Sequence, residues 1–135
     1  MREKELRLAL ICYGGISLAV YMHGITKEVW RLARASRGFQ AGEEADPGSE
    51  AVYRRLVEAI ARECGLDVRI LVDILAGASA GGINAIFLAE AIASGRSLEP
   101  RTDLWLETAD VDRLIDPAMS RMSRLAKAAA VPIAW

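Results

Sequence analysis

The chain has few of the residues that signal a disulfide-bonded or metal-binding protein. Its 135 residues include two cysteines and one histidine. Cys12 and Cys64 form no CxxC pair, so we interpret both as core thiols in a reduced, cytoplasmic setting. An excess of one charge is also missing, because 17 basic and 18 acidic side chains leave a net charge of −1. This balance excludes a dedicated nucleic-acid-binding protein, which would present a basic surface.

Low-complexity sequence is absent too, and 53% of the residues are hydrophobic against 26% charged. That composition excludes a disordered chain and predicts a core of the size expected for one domain. The longest uncharged run, residues 8–26, raises the alternative of a membrane helix or signal peptide. Gly14 and Gly15 interrupt it, at a cost to a helix of about 1 kcal/mol each, and the preceding charges are of mixed sign. We therefore favour a chain that is not inserted into a membrane.

Two short apolar runs, residues 6–13 and 68–76, predict strands buried on both faces. After the glycine pair the hydrophobic period changes to that of a helix. We expect its core stripe to consist of Leu18, Met22, Ile25, Val29 and Leu32, and we expect Lys27, Glu28, Arg31 and Arg34 to face water.

The remaining segments are read from glycine, proline and capping residues. Residues 38–49 are predicted to form a flexible loop, with Ser49 capping a helix that ends before Gly65. A nearly all-apolar, central helix over 83–94 should end at Gly95. The predicted core positions of the second helix are Val52, Leu56, Ala59 and Ile60. Thr102 is expected to cap a short helix. Asp116 is expected to begin a last helix, which carries the basic residues Arg121, Arg124 and Lys127.

The order strand, helix, helix, strand, helix predicts an α/β fold with a parallel sheet and right-handed crossovers. Two parallel strands alone would leave long unpaired edges and form a poor independent structure. We therefore expect residues 1–135 to be the N-terminal part of a larger α/β domain.

The turn after the second predicted strand carries the pattern Gly-x-Ser-x-Gly, at Gly77, Ala78, Ser79, Ala80 and Gly81. A serine at a sharp strand-to-helix turn occupies strained backbone, and residues two places to either side must lack side chains for the turn to close. The following helix directs its N–H groups and dipole at the serine oxygen. The pattern predicts Ser79 as a nucleophile; the alternative is a glycine turn that only packs the helix closely against the sheet.

A second glycine turn, Gly14-Gly15, follows the first predicted strand and precedes a helix. Acyl transfer needs preorganised N–H donors where the oxyanion forms, and loss of one donor costs about 3 kcal/mol. Because parallel strands end at the same edge of a sheet, this turn and Ser79 can meet. Taken alone, the glycine pair is better explained as a simple tight turn; taken together with the serine turn, it favours an oxyanion-binding loop.

The two motifs, YGGISLA at residues 13–19 and GASAGG at 77–82, together resemble the patatin-like phospholipases and are most similar to a bacterial patatin-related branch. The resemblance implies a three-layer α/β fold with a parallel-type central sheet, incomplete in this chain. It also implies a serine hydrolase that degrades lipids by cleaving acyl esters, as a phospholipase or esterase, through a Ser–Asp dyad. Ser79 would be its nucleophile, no metal or cofactor would be needed, and the oxyanion hole would comprise Gly14, Gly15, Ile16 and Ala80.

The sequence departs from that family at several positions. Ile16, Leu18 and Ala19 stand where the usual loop has a glycine, a basic residue and another glycine. The family's catalytic aspartate lies in an Asp-Gly motif, and this sequence contains none. We expect the aspartate to lie outside the chain, which alone would be inactive. The alternative is a non-catalytic binding or regulatory module that retains the patatin-like shell.

The expected partner is a lipid or acyl-ester substrate, with peripheral membrane contact and no nucleic acid. The basic residues of the last predicted helix suit an anionic lipid surface, although a solvated face explains them more simply. His23 lies before the serine, whereas a Ser-His-Asp hydrolase has its histidine after it. We therefore interpret His23 as a packed or solvated residue rather than a general base.

Overall fold

The computed structural model describes residues 2–15 and 18–108, which form two parallel strands and four helices. The predicted α/β order is confirmed. The larger sheet and the three-layer arrangement stay predictions, and the helix predicted from Asp116 lies outside the described residues. The elements are β1 (Arg2–Cys12), α1 (Ala19–Ala41), α2 (Ser49–Cys64), β2 (Leu66–Gly77), α3 (Ala80–Ser94) and α4 (Pro100–Thr108).

The strands pair over their whole length, so their carboxyl ends lie side by side. The register runs from Arg2 opposite Leu66 to Cys12 opposite Gly77. Both strands begin earlier than predicted, because charged residues in their first halves are tolerated on exposed positions of a paired strand. The uncharged run that we considered as a membrane helix is divided between β1 and α1.

The core lies between one face of the sheet and the helices. Leu10 and Leu75 pack against it, so their neighbours Ile11 and Ile74 point to the opposite face. Those two side chains are 65% and 59% exposed. The described part of the chain therefore supplies two layers. Its main buried cluster consists of Trp30, Leu88, Ala91 and Leu98.

Helix α1 also covers the outer edge of β2. The Ser36 hydroxyl donates to the backbone oxygen of Val68 at 2.8 Å and accepts from the N–H of Ile70 at 3.0 Å. These are backbone groups that a neighbouring strand would otherwise use. The helix is thereby fixed to the sheet by directional bonds as well as by apolar packing.

The predicted core stripe of α1 is wrong at Leu18 and Ile25, which are half exposed, although Met22 and Val29 do pack against the core. The buried face instead includes the polar side chains of His23, whose partner Thr102 lies on another helix, and Thr26, which donates to the His23 backbone oxygen. Hydrophobic periodicity cannot detect such residues. The deepest positions of this face are Ala19, His23, Thr26 and Trp30.

The charged residues of α1 do not face open water as predicted. They are half-buried, because partners on α2 and before α4 reach over them. Glu99 binds Lys27 Nζ and Arg31 Nη2 at 2.5 Å each. Arg31 Nη1 lies 2.7 Å from Glu28, and Arg34 Nη2 lies 2.9 Å from Asp46.

The predicted loop at 38–49 is shorter in the structure, where α1 continues to Ala41 and α2 begins at Ser49. Gly38 lies inside this helix, and its missing side chain leaves room for Arg54. A Cβ at position 38 would lie only 3.1 Å from Arg54 Nη2. The helix ends at Gly42, in the left-handed conformation with φ 70°. The non-helical connection is therefore residues 42–48.

Two of the core positions predicted for α2 are wrong, because Val52 and Leu56 are about half exposed, whereas Ala59 and Ile60 are half-buried. Arg54 is buried instead, donating to the backbone oxygen of Glu43 and lying over the ring of Phe39. The predicted stop at Gly65 is confirmed by its left-handed conformation. The buried side chains of α2 are Glu50, Arg54, Val57 and Ala61.

The last two helices differ from prediction in detail. Helix α3 ends at Gly95 as expected, but Ile83 and Ile86 on one side of it are exposed, so it is not enclosed all round. Helix α4 begins at Pro100, whose fixed φ suits a first helical position, and Thr102 lies inside it rather than at its cap.

Candidate active site

Ser79 occupies the turn between β2 and α3 in strained backbone. Its φ of 53° and ψ of −131° make it the one non-glycine residue with positive φ in the described ranges. Such a conformation costs on the order of 1–3 kcal/mol and persists only where the surroundings impose it. The side chain is exposed at the amino terminus of α3. This is the geometry that a nucleophile elbow requires.

The glycines two places to either side of Ser79 are what impose that turn. A Cβ at Gly77 would lie 2.6 Å from the carbonyl carbon of Gly81, and a Cβ at Gly81 would collide with the backbone oxygen of Cys12. Backbone atoms cannot move aside as a flexible side chain can. The predicted need for bare positions at both sites is confirmed.

The Gly14-Gly15 turn lies directly against Ser79. A Cβ at Gly14 would be 2.9 Å from the Ser79 Cβ and 2.8 Å from the Ala78 oxygen. The Ala78 N–H also donates to the Cys12 oxygen at 3.2 Å. The expected meeting of the two turns at one edge of the sheet is therefore confirmed.

Gly15 has φ 143°, a conformation that favours glycine, and its oxygen accepts from the Leu18 N–H at 3.1 Å. Gly14 is exposed and Gly15 is half-buried. Ile16, the third predicted oxyanion residue of this turn, lies outside the described residues. The structure thus brings Gly14 and Gly15 to the serine, while the role of Ile16 stays a prediction.

The amino terminus of α3 contributes a further donor beside Ser79. The Gly81 N–H donates to the Ala78 oxygen at 3.0 Å and the Ile83 N–H to the Ser79 oxygen at 3.2 Å. The N–H of buried Ala80 has no acceptor among the residues that the structure describes, as expected in the first turn of a helix. Ala80 therefore keeps an amide available where the helix dipole is positive.

A general base is not paired with the serine here. Within residues 2–15 and 18–108, no side chain hydrogen-bonds to the Ser79 hydroxyl. His23 is packed, as predicted: its Nε2 lies 3.0 Å from Thr102 Oγ1. Its burial, and then the charge of Lys27, lower its pKa. His23 is accordingly no candidate for the base.

Sequence reasoning missed an apolar groove beside the glycine turn, which we name the β1–α1 groove. It has a volume of about 330 Å³, and Tyr13 and Leu18 line it on either side of Gly14-Gly15. The signal was present as the apolar stripe of α1, but that stripe was assigned to the core. The other lining residues are Leu10, Ile11, Cys12, Tyr21, Met22, Ile25 and Thr26.

No helix in the described part of the chain is both long and apolar enough to cross a bilayer. No group of three or more histidine, cysteine or acidic side chains is arranged there to hold a metal ion.

Comparison with known proteins gives one informative similarity. The chain is 37% identical over 124 residues to a Mycobacterium tuberculosis protein named as the uncharacterized membrane protein Rv3479, with 84% of this chain covered. The chain spans 11% of the length of that relative. No protein-family model and no solved structure matches the chain.

Proposed function

We propose that this chain supplies the nucleophile and the oxyanion-binding turns of a patatin-like serine hydrolase that cleaves acyl esters of lipids. One observation carries the proposal: an exposed serine in strained backbone, closed in by two glycines, lies against a second glycine turn from the adjacent strand. A turn that served packing alone would gain nothing from keeping a hydroxyl exposed at φ 53°. Strained positions of this kind cluster at functional sites.

In the proposed reaction the Ser79 oxygen forms a bond to the ester carbonyl carbon while its proton passes to a general base. The carbonyl electron pair moves to the oxygen, which accepts hydrogen bonds from the amides of Gly14, Gly15, Ile16 and Ala80. When the carbonyl re-forms, the bond to the alcohol breaks and the alcohol takes the proton. Water releases the acyl group by the same steps.

The apolar lining of the β1–α1 groove supports a lipid substrate. A substrate whose carbonyl lay at Ser79 would pass Tyr13 and Leu18, where an acyl chain finds apolar side chains and few polar groups. Each buried methylene contributes about 0.8 kcal/mol to binding. We also propose peripheral contact with a lipid surface, and the absence of a CxxC pair or a disulfide framework from the sequence favours a reduced, cytoplasmic one.

The general base, an aspartate by the family resemblance, is proposed to lie outside these 135 residues. A serine hydroxyl without an adjacent base is a weak nucleophile. The chain alone is therefore expected to be inactive. No metal or organic cofactor enters the proposed reaction.

A second candidate is a non-catalytic binding or regulatory module. It is favoured by the Ser79 hydroxyl, which is hydrogen-bonded to no side chain in the described residues, and by Leu18 in place of the family's basic residue. Such a module would use the exposed turns and the groove to hold a lipid without cleaving it.

Labelling with a fluorophosphonate separates the two candidates. The protein is expressed from its complete reading frame, as wild type, as Ser79→Ala, and as Ser94→Ala, a control that removes an exposed serine from the far end of the same helix. A hydrolase is labelled in the wild type and the control but not in Ser79→Ala. Unaltered labelling of Ser79→Ala refutes the assignment, and absence of labelling in a wild-type protein that binds lipid favours the module.

A further inference from the structure

A chain of polar side chains crosses the interior beneath the two turns. His23 on α1 is 2% exposed and Asn84 on α3 is fully buried. The His23 Nε2 lies 3.0 Å from Thr102 Oγ1 on α4, and Asn84 Nδ2 donates to the Ala19 backbone oxygen at 3.1 Å. Ala19 and His23 lie one turn apart on the same face of α1, so the two hydrogen bonds connect this face to α3 and to α4. We name this buried polar cluster the His23 chain.

The donors along this chain indicate where the His23 proton lies. Lys27 Nζ donates to Thr102 Oγ1 at 3.1 Å and occupies one of its two lone pairs. On the other side, His23 Nδ1 and Asn84 Oδ1 are both buried and have no hydrogen-bond partner among the described residues. The tautomer that suits both sides has the threonine hydroxyl donating to Nε2 and the ring proton on Nδ1.

The charges around the ring agree with an uncharged histidine. Burial, and then the positive charge of Lys27, lower the pKa of His23, while the Asn84 amide and Glu99 oppose the shift. The lowering prevails, so the neutral ring is the form present at neutral pH.

Both ends of the chain lie beside the candidate active site. Ala19 is the first residue of α1, which follows the glycine turn, and Asn84 lies one turn into α3, which follows Ser79. Ala19 also packs against Ala80 and Trp105. Because each helix begins directly after one of the two turns, a contact between their first turns sets the distance between the turns.

We propose that His23 and Asn84 are positioning residues that hold the Gly14-Gly15 turn in register with Ser79. Neither residue touches the reacting atoms; they act through the Ala19 carbonyl and the first turn of α3. Hydrogen bonds suit this task because, unlike apolar contacts, they fix direction as well as distance. That the register serves an oxyanion hole rests on the proposed function, whereas the linkage of the two turns does not.

Nuclear magnetic resonance of the full chain tests the linkage without requiring activity. His23 is the single histidine, so a sample labelled with ¹⁵N at histidine reports one ring. We expect a proton on Nδ1 and none on Nε2 at neutral pH. We also expect the amide signals of Gly14, Gly15 and Ser79 to move in His23→Leu and to return in His23→Asn, which keeps a donor on the Asn84 side.

The proposal is overturned by a proton on Nε2, by a charged ring at neutral pH, or by unchanged glycine amide signals in His23→Leu. Thr102→Val is the second variant, because it removes only the hydroxyl from a half-buried position and disturbs folding least. In Thr102→Val we expect the His23 ring to populate both neutral tautomers. A ring that keeps one tautomer in this variant contradicts the proposed His23 chain. Ser94→Ala serves as the control with unmoved signals.

Fluorophosphonate labelling then measures the consequence in the protein from the complete reading frame. In His23→Leu we expect the labelling rate at saturating probe to fall on the order of tenfold, with the half-saturating probe concentration unchanged and the rate restored in His23→Asn. A purely structural role would reduce the amount of folded protein instead. Wild-type protein that is not labelled contradicts the proposed function, and the magnetic resonance result still decides the linkage.

Discussion

The two strand-to-helix turns at the carboxyl edge of the sheet are built in different ways. The turn after β2 has a close contact within itself, because Gly77 lies against the backbone of Gly81, and Ser79 between them has positive φ. In the turn after β1, the atoms nearest to Gly14 all belong to Ala78 and Ser79 of the other turn. The turn after β2 therefore has internal close packing in addition to its contacts with β1, whereas the turn after β1 is packed against the other turn.

The largest effect is expected at Gly81, where the turn after β2 lies against the end of β1. In Gly81→Ala the added methyl collides with the backbone oxygens of Cys12 and Tyr13, and we expect a loss of about 3 kcal/mol or more in the free energy of unfolding. The matched control is Gly24→Ala, where nothing lies within 4 Å of the added carbon.

The control should gain about 0.5–1 kcal/mol, because alanine is favoured over glycine within a helix. Urea unfolding monitored by circular dichroism measures both variants. Equal stabilities of Gly81→Ala and the wild type would remove the distinction between the two turns.

A smaller effect is expected in the turn that depends on its neighbours. The new Cβ of Gly14→Ala would lie 2.8 Å from the Ala78 oxygen, and the β1 turn can withdraw to relieve this contact. We expect a loss of about 1–2 kcal/mol in the free energy of unfolding, together with a larger proportional loss of Ser79 labelling. Labelling that falls no further than the folded fraction would show that the position of Gly14 is irrelevant to the serine.

The smallest effect is the pH dependence that His23 gives to the free energy of unfolding. The pKa of His23 in the folded protein is lowered, chiefly by burial and then by Lys27. Below the ordinary histidine pKa of about 6.5, the unfolded chain therefore binds more protons than the folded chain. Stability from this group is complete above that pH and is lost as pH falls towards the folded pKa. The carboxyls of Glu28 and Glu99, whose pKa values are lowered, lose their contributions only in more acid solution.

Urea unfolding at a series of pH values from 7 to 5 follows this dependence. In His23→Asn the slope in this interval should vanish while the acid-side decline remains. A slope that persists in the variant would assign the dependence to another group.

Sequence reasoning was most successful where the backbone itself imposes the structure. The glycines at 77, 81 and 65 specify close packing or positive φ, and each was assigned correctly. It failed on the helix faces, because Arg54 is buried by its bond to the Glu43 oxygen and by the ring of Phe39, which periodicity cannot detect. The one local sign of the His23 chain was Asn84, the single amide side chain of α3, and an amide alone does not reveal its partner.

The Ser36 contact with β2 gives the sheet a direction of growth. With its hydroxyl occupying Val68 and Ile70, that flank is obstructed for an incoming strand at these two residues. An additional strand, whether from the same polypeptide or another, would meet no such obstruction alongside β1, where it would border the groove. Lateral extension of the sheet and completion of the reaction centre would then be a single event.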